Sequence, residues 1–169
     1  MKQFHDTAVC IFAYIRDDNL SKLLEDIKRN INYKKYNYYF FIDHSKTKKD
    51  YSKHLSVLKI INKFKFGLKV KTIVRKKNIG LSRNILKGIN LTTKKYKKFI
   101  VLEDDLRISK HYFEFMQQNL NQYQYNQNIL TISGYIFPKK IFKINLGKNN
   151  MFLSKRPNTW GWGSWSSKW

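Results

Sequence analysis

Three consecutive acidic residues, Glu103, Asp104 and Asp105, directly follow the apolar run Phe99–Leu102. A short continuous apolar run of this kind is typical of a buried strand in a parallel sheet. The acids then lie at the carboxyl end of the strand, where open α/β sheets bind their ligands. Carboxylate oxygens are hard ligands suited to Mg²⁺ or Mn²⁺, and through the metal to a diphosphate. A solvated turn with one aspartate capping the next helix explains the same residues, and position alone leaves both interpretations open.

The chain is strongly basic, with 34 Lys and Arg residues against 11 Asp and Glu residues and a formal net charge of +23. Such a field attracts polyanions, including nucleic acids, anionic lipid head groups and phosphorylated substrates. Many of the lysines are scattered among Asn, Ile and Tyr, which an AT-rich coding bias would also produce. The scarcity of acidic residues makes three of them in a row more informative.

A length of 169 residues and an apolar content of 42% predict one globular domain, 1–169. No run approaches the roughly 18 apolar residues of a membrane span, and the N-terminus lacks the apolar core and cleavage site of a signal peptide. The single cysteine, Cys10, lies in an apolar run and is expected to be a small buried core residue. These features predict a cytoplasmic protein, since one cysteine forms no internal disulfide.

Strands and helices alternate along the predicted chain. Apolar or alternating runs predict strands at 8–13, 38–43, 68–74, 99–102 and 129–132. Helical stripes predict helices from Asp17 or Asp18 to Ile31, over Tyr51–Phe64, over Leu81–Asn90, and after a Ser109 cap. The predicted inner faces carry Leu20, Leu23, Leu24, Ile27 and Ile31, then Leu55, Leu58 and Ile61, then Ile85, Leu86 and Ile89, then Phe113, Met116, Leu120 and Tyr123. This order predicts a three-layer α/β/α sandwich with a mostly parallel sheet.

The pattern loosens after Phe137, where only Met151–Leu153 resembles a further short strand. All four tryptophans lie within the last ten residues, together with Gly161 and Gly163. Because the chain stops inside this aromatic cluster, we expect a domain that is incomplete on its C-terminal side. Trp160, Gly161 and Trp162 fit either a packed core or a wall on which a sugar ring stacks, with the glycines giving it room.

Several motifs, in order, resemble bacterial glycosyltransferases of the GT-A fold, specifically those similar to N-acetylglucosaminyltransferase I. These motifs, which span nearly the whole chain, are Val9–Asp18 (VCIFAYIRDD), Phe40–Asp43 (FFID), Asn78–Arg83 (NIGLSR), Leu102–Leu106 (LEDDL), Ile132–Tyr135 (ISGY) and Trp160–Trp165 (WGWGSW). The resemblance implies a metal-dependent, inverting transferase that moves a sugar from a nucleotide-diphosphate donor, a UDP-sugar, to a glycan or lipid-linked acceptor. The family loop Asn-Arg-Pro is replaced by Ile15-Arg16-Asp17, which retains the arginine but loses the proline.

The resemblance also implies roles for particular residues. Asp105 would bind Mn²⁺ or Mg²⁺, Glu103 and Asp104 would contact the ribose and organise the metal site, and Asp43 would contact the base. The remaining nucleotide-site residues implied are Ala13, Tyr14, Arg16, Asn78, Gly80 and Arg83. The general base is expected beyond Trp169.

Two other readings of the chain stay open. One is an inactive, truncated remnant of a transferase, which the missing base would explain. The other is a basic nucleic-acid-binding protein, although no known binding motif supports it and no nucleic-acid partner is expected. The net charge also suggests peripheral contact with the anionic inner face of a membrane.

Overall fold

A six-stranded sheet organises the protein, whose computed structural model describes residues 6–138, 140–141 and 151–169. Within these residues the strands are β1 (Thr7–Ala13), β2 (Asn37–Ile42), β3 (Lys69–Val74), β4 (Lys98–Glu103), β5 (Ile132–Ser133) and β6 (Trp162–Trp165). Their order across the sheet is β3-β2-β1-β4-β6-β5. The first four strands run parallel, whereas β6 runs antiparallel to both β4 and β5. The predicted, mostly parallel α/β fold is confirmed.

Helices cover both faces of the sheet. The helices are α1 (Asp17–Arg29), α2 (Tyr51–Phe64), α3 (Leu81–Thr93) and α4 (Tyr112–Gln122), with a 3₁₀ turn at Tyr33–Lys35. Residues of α1, α2 and α4 share one apolar cluster with alternate residues of β1, β2 and β4. Ile89 of α3 packs with the other alternate set, which includes Phe12 and Phe41. The sheet is therefore the middle layer of three, as predicted from the order of the elements.

The central strands are buried on both faces, which explains their continuous apolar sequence. Every residue of β1 is buried, including Cys10, whose thiol lies 3.3 Å from the Thr92 hydroxyl. Burial raises the pKa of this thiol to about 12, so Cys10 is the core residue that the sequence predicted. In the parallel register Ala13 pairs with Ile42 and Phe12 pairs with Glu103, so β1, β2 and β4 end at the same edge of the sheet.

Two helix boundaries differ from the prediction. Helix α1 ends at Arg29, and Ile31 lies beyond it with 82% of its surface exposed. Helix α4 begins at Tyr112, and no side chain at its own N-cap position caps it. The cap comes instead from Asn30, whose Oδ1 accepts the Phe113 N–H at 3.1 Å while its Nδ2 donates to the Ser109 carbonyl. Ser109 is thus not the cap, because a side chain from another element satisfies this helix end.

Parts of the predicted inner faces are exposed. Leu55 of α2 and Leu86 of α3 are 39% and 51% exposed, and Tyr123 follows α4 in a half-buried position. The buried side of α2 instead carries His54, Val57, Ile61 and Phe64. The core of α4, with Phe113, Met116 and Leu120, is as predicted.

The C-terminal strands also differ from the prediction. Strand β5 has only the residues Ile132 and Ser133, and Met151–Leu153 forms no strand. Strand β6 lies inside the tryptophan motif, where a Cβ on Gly163 would approach the Phe99 carbonyl to 2.8 Å. The glycine therefore lets β6 lie close against β4.

Gly88 allows α3 to lie close to the sheet. A Cβ at this position would lie 2.6 Å and 2.8 Å from two ring atoms of Phe12, which is stacked on Phe41 in the core. Alanine would improve helix propensity by about 1 kcal/mol, but overpacking a core costs about 1–3 kcal/mol. We expect Gly88→Ala to lower the melting temperature by about 2–6 °C in thermal unfolding. The exposed neighbour Lys87→Ala is the control and should not lower it; an unchanged melting temperature in Gly88→Ala would mean that the Phe12 ring gives way.

Candidate functional site

The acidic residues gather at the carboxyl edge of the central strands. Backbone hydrogen bonds extend the sheet pairing by one residue there: Asp43 N donates to Ala13 O at 3.1 Å, and Asp104 N donates to Phe12 O at 3.0 Å. The loop that follows β1 begins with Tyr14 and reaches helix α1 after Arg16. This edge therefore brings together three of the sequence motifs, namely the first loop, the end of β2 and the acidic triplet.

Asp104 fixes the first loop. Its side chain is 6% exposed, and its Oδ2 accepts the backbone N–H of Tyr14 at 3.0 Å. Burial raises the pKa of the Asp104 carboxyl to about 6, because desolvation disfavours the charged form. Asp104 is thus a positioning group that holds the loop carrying Arg16 over the end of β4.

Arg16 supplies the positive charge nearest to the acidic triplet. Its guanidinium contacts the Asp105 carboxylate directly and lies 3.5 Å from Asp104 Oδ1. Burial and, to a lesser extent, the two neighbouring aspartates raise the pKa of Glu103. Asp105 is the most accessible of the three acids, with 43% of its side chain exposed. A cation arriving from solvent would therefore meet Asp105 first.

Asp43 anchors the loop that precedes α3. Its carboxylate accepts the backbone N–H groups of Ile79 at 3.0 Å and Gly80 at 2.9 Å, as well as that of His44. Gly80 has a φ of +81°, a conformation that favours glycine. Asn78 donates from its side chain to the His44 carbonyl at 2.7 Å. The base contact implied for Asp43 stays a prediction, while the structure shows that its carboxylate anchors the Asn78–Gly80 loop.

Tyr14 joins the first loop to the loop after β2. Its hydroxyl accepts the Lys46 N–H at 2.8 Å and donates to Asp50 Oδ2 at 3.3 Å. Lys46 and Asp50 belong to no sequence motif, so their roles could not be predicted. The same holds for Arg75, whose Nε donates to Asn84 Oδ1 at 2.8 Å and whose guanidinium lies over the Phe41 ring. Arg83, which was singled out, is exposed on the first turn of α3.

The two tryptophans proposed as a sugar wall have different environments. Trp160 is 51% exposed, and its ring packs edge-on against Tyr135 at 4.7 Å. Trp162 is 8% exposed, and its ring packs against Phe99 and Trp169. In β6, Trp162 pairs with Val101 of β4, so the chain just before it lies beside the end of that strand. Trp162 is thus part of the core, and Trp160 is the tryptophan whose ring is available at this edge.

Gly161 and Gly134 shape the backbone beside Trp160. Gly161 has a φ of +65°, and its carbonyl accepts the Gly134 N–H at 2.9 Å. A Cβ on Gly134 would lie 2.5 Å from the ring of the buried Tyr112. Close packing against the Tyr112 ring therefore explains Gly134, and the positive φ explains Gly161.

The donor set at the acidic edge fits a metal that is shared with a ligand. Among the residues that the structure describes, no group of three or more His, Cys, Asp or Glu side chains forms a metal cage. Asp105 offers one accessible carboxylate beside the buried Asp104. Mg²⁺ is commonly held by one or two carboxylates together with substrate phosphates and water, and Mn²⁺ also favours oxygen ligands. Arg16 must release Asp105 for such an ion to bind.

The mostly parallel sheet, its strand order and the acids at its carboxyl edge define an α/β protein of the GT-A type. The model of the family described as Glycosyl transferase family 2 matches residues 8–165, and the chain therefore belongs to this family. The finer resemblance to N-acetylglucosaminyltransferase I stays a prediction.

Solved structures show the same fold at low sequence identity. Residues 1–349 of Staphylococcus aureus TarS share 15% identity with a TM-score of 0.62, over 96% of this chain and 47% of that one. The mannosyltransferase PcManGT of Pyrobaculum calidifontis, solved with GDP-Man and Mn²⁺, shares 11% identity with a TM-score of 0.54, over 76% of this chain and 34% of that one. The chain therefore spans less than half the length of either structure. A comparison with curated proteins gave no match.

Proposed function

We propose that this protein transfers a sugar from a nucleotide-diphosphate donor, with UDP as the nucleotide, to a glycan or lipid-linked acceptor. The observation that carries the proposal is the cluster of Glu103, Asp104 and Asp105 at the carboxyl edge of β4, facing Arg16 from the loop after β1. Family membership supports the transferase class. PcManGT, which shares the fold, was solved with a nucleotide-sugar and Mn²⁺.

The donor pocket that we propose lies between the loops after β1, β2 and β3. Ala13, Tyr14 and Asp43 would surround the base, and Glu103 and Asp104 would face the ribose. Asn78, Gly80 and Arg83 would lie towards the phosphates. The anchoring of the Asn78–Gly80 loop by Asp43 supports this arrangement, because a fixed loop presents its groups without a further ordering cost on binding.

Asp105, with Asp104 behind it, would hold Mn²⁺ or Mg²⁺, which when bound would neutralise charge on the departing diphosphate. Arg16, released from Asp105, would be free to bind the diphosphate through its guanidinium, which suits paired phosphate oxygens. In the transfer, the bond between the anomeric carbon and the diphosphate oxygen breaks as the acceptor oxygen forms its bond from the opposite face. The acceptor proton passes to a carboxylate base.

For the acceptor side we propose that the exposed ring of Trp160 forms a wall against a sugar ring. Its position beside the end of β4, with Gly161 next to it, supports this assignment. Trp162 would act indirectly, by holding β6 against Phe99.

Calorimetric titration of UDP into the purified protein, with and without Mn²⁺, tests the donor-site proposal directly. We expect binding that depends on the metal, and weaker binding when GDP or ADP replaces UDP. Circular dichroism on the same sample establishes that the protein is folded. Binding that is equal without the metal would contradict the metal assignment. No binding by a folded protein in either condition would favour an inactive remnant or a polyanion-binding protein.

A further inference from the structure

A groove lies on the far side of the molecule from the acidic edge. It has a volume of about 400 Å³ and is lined by Lys28, Tyr33, Lys34, Lys63, Phe64, Phe66, Gly67 and Leu68. The lining comes from the end of α1, the 3₁₀ turn, the end of α2 and the turn before β3. These segments meet at the amino-terminal edge of β2 and β3, whereas the acids lie at the carboxyl edge of the sheet.

Two apolar side chains near this end of the molecule are exposed, and Phe66 is the one that lines the groove. Phe66 is 95% exposed and directly precedes Gly67, whose φ of +72° turns the chain towards β3. Ile31, which the helical pattern assigned to the buried face of α1, is 82% exposed just beyond the end of that helix. Neither side chain contributes to the core, so water surrounds apolar groups that would be more stable in an apolar medium.

Basic residues line the groove together with Phe66. Residues 28–35 carry four Lys or Arg residues, residues 59–71 carry five, and neither segment contains an acid. Lys28 lies over the Phe64 ring and Lys34 over the Tyr33 ring, each at 5.8 Å from the ring centre. Each ammonium group therefore lies over an aromatic face, while the lysine itself is exposed to solvent. The surface combines several cations with the projecting Phe66 side chain.

We propose that this surface, defined by Phe66, Lys28, Lys34 and Lys63, docks onto a bilayer that contains anionic phospholipids. Lysines near such a bilayer are attracted to its head groups, and an exposed Phe can enter the boundary between head groups and acyl chains. A second copy of this chain would bring like charges together. A dissolved polyanion would satisfy the lysines but leave Phe66 in water.

The fold agrees with docking rather than insertion across the bilayer. No helix in the described part of the chain is long and apolar enough to cross a membrane. Since the surface and the acidic edge lie at opposite ends of the strands, docking leaves the proposed donor site open to solution. The docking proposal does not depend on the proposed transferase activity, because neither Phe66 nor the three lysines belong to that site.

Sedimentation with vesicles tests the proposal on the full chain. Vesicles of phosphatidylcholine alone are compared with vesicles containing about one third phosphatidylglycerol, at low and physiological salt. We expect binding only to the anionic vesicles, weakened by salt. Lys34→Gln combined with Lys63→Gln should reduce the partition coefficient by about tenfold or more, and Phe66→Ser by about tenfold.

Matched variants on α3 and at Lys94, the residue directly after it, are the controls. Lys87→Gln combined with Lys94→Gln removes the same charge, and Leu86→Ser removes an exposed apolar side chain from the other face of the sheet. If the variants of this surface and the control variants lost vesicle binding equally, the proposal would be overturned, because binding would then depend only on the total charge. Absence of vesicle binding would also overturn it. The proposal would also be overturned if Phe66→Ser weakened binding to polyphosphate or duplex DNA as much as binding to vesicles. The surface would then be a polyanion site.

Discussion

Replacing Asp105 by asparagine should abolish the Mn²⁺-dependent binding of UDP. The amide removes the one accessible carboxylate of the acidic triplet, while Asp104 stays bound to the Tyr14 amide. Removing a residue that only orients a metal-binding side chain typically lowers metal affinity by 10- to 100-fold. For a side chain that binds the metal directly, we therefore expect UDP affinity in the presence of Mn²⁺ to fall by about 100-fold or more. Calorimetric titration of UDP in the presence of Mn²⁺ measures this change.

The fold of the Asp105→Asn variant should be nearly unaffected. Asp105 is largely solvent-accessible and its ion pair with Arg16 is exposed, so the change in unfolding free energy should lie within about 0.5 kcal/mol. Glu25→Gln, which removes a carboxylate from the exposed side of α1, is the charge-matched control and should bind UDP normally. Unchanged UDP affinity in Asp105→Asn would mean that the metal lies elsewhere or is not used.

The acidic edge was predictable because two independent physical requirements point to it. Buried parallel strands need apolar side chains on both faces, which produced the runs ending at Ala13, Ile42 and Leu102. Polar residues directly after such runs can only lie at the carboxyl edge of the sheet. The position of Asp43 and of the triplet therefore followed from local sequence, and the structure confirms both positions.

What each of these polar groups contacts did not follow from local sequence. Asp43 accepts amides of Ile79 and Gly80, about 36 residues further along the chain. The loop of Arg16 is fixed by Asp104, about 90 residues away from Tyr14. Such partners depend on the strand order and the loop path, which no periodic pattern in the sequence encodes.

The structure of the tryptophan motif could not be predicted for a different reason. Alternating Trp and Gly residues are compatible with a strand that packs in a core and with an exposed aromatic platform. In the structure both occur, since Trp162 is buried in β6 while Trp160 precedes the strand and is exposed. Pairing with β4 decides between them, and that pairing joins residues about 60 positions apart.

The prediction that Ile31 lies on the buried face of α1 was wrong for a related reason. It continues the apolar spacing of α1, but Asn30 has extended backbone angles and its side chain caps α4. The tertiary contact thus ends the helix before the pattern does, and it leaves Ile31 exposed just beyond the helix end.

Asp26→Asn should be the most destabilising single substitution of a charged residue that we propose. Asp26 is 3% exposed, and its carboxylate accepts two N–H groups of Arg107, at 2.6 Å and 2.9 Å, and the backbone N–H of Ile108. An amide cannot accept this paired contact. Because Arg107 is 58% exposed and can return to water, we expect a loss of about 2–3 kcal/mol at pH 7 in urea unfolding, the range for hydrogen bonds to charged groups.

The pH dependence of this loss identifies its cause. The hydrogen bonds from Arg107 lower the pKa of Asp26 in the folded state below the value in the unfolded chain. The stability contributed by the carboxylate is therefore fully present above the unfolded-state pKa of about 4, and it is lost as the pH falls through the lower folded-state pKa. The difference in unfolding free energy between wild type and Asp26→Asn should thus be constant from pH 7 to about 5 and shrink below about 4.

Asp18→Asn, an exposed aspartate on the same helix, is the matched control and should change the unfolding free energy little at any pH. A difference for Asp26→Asn that stays constant down to pH 3 would show that shape, rather than charge, makes the contact important.

The contacts of Asp26 with Arg107 and Ile108 also tie α1 to the segment that follows the acidic triplet. Asp26→Asn should therefore weaken Mn²⁺-dependent UDP binding as well, by loosening Asp105 rather than by removing a ligand, and high concentrations of Mn²⁺ and UDP should restore part of its stability.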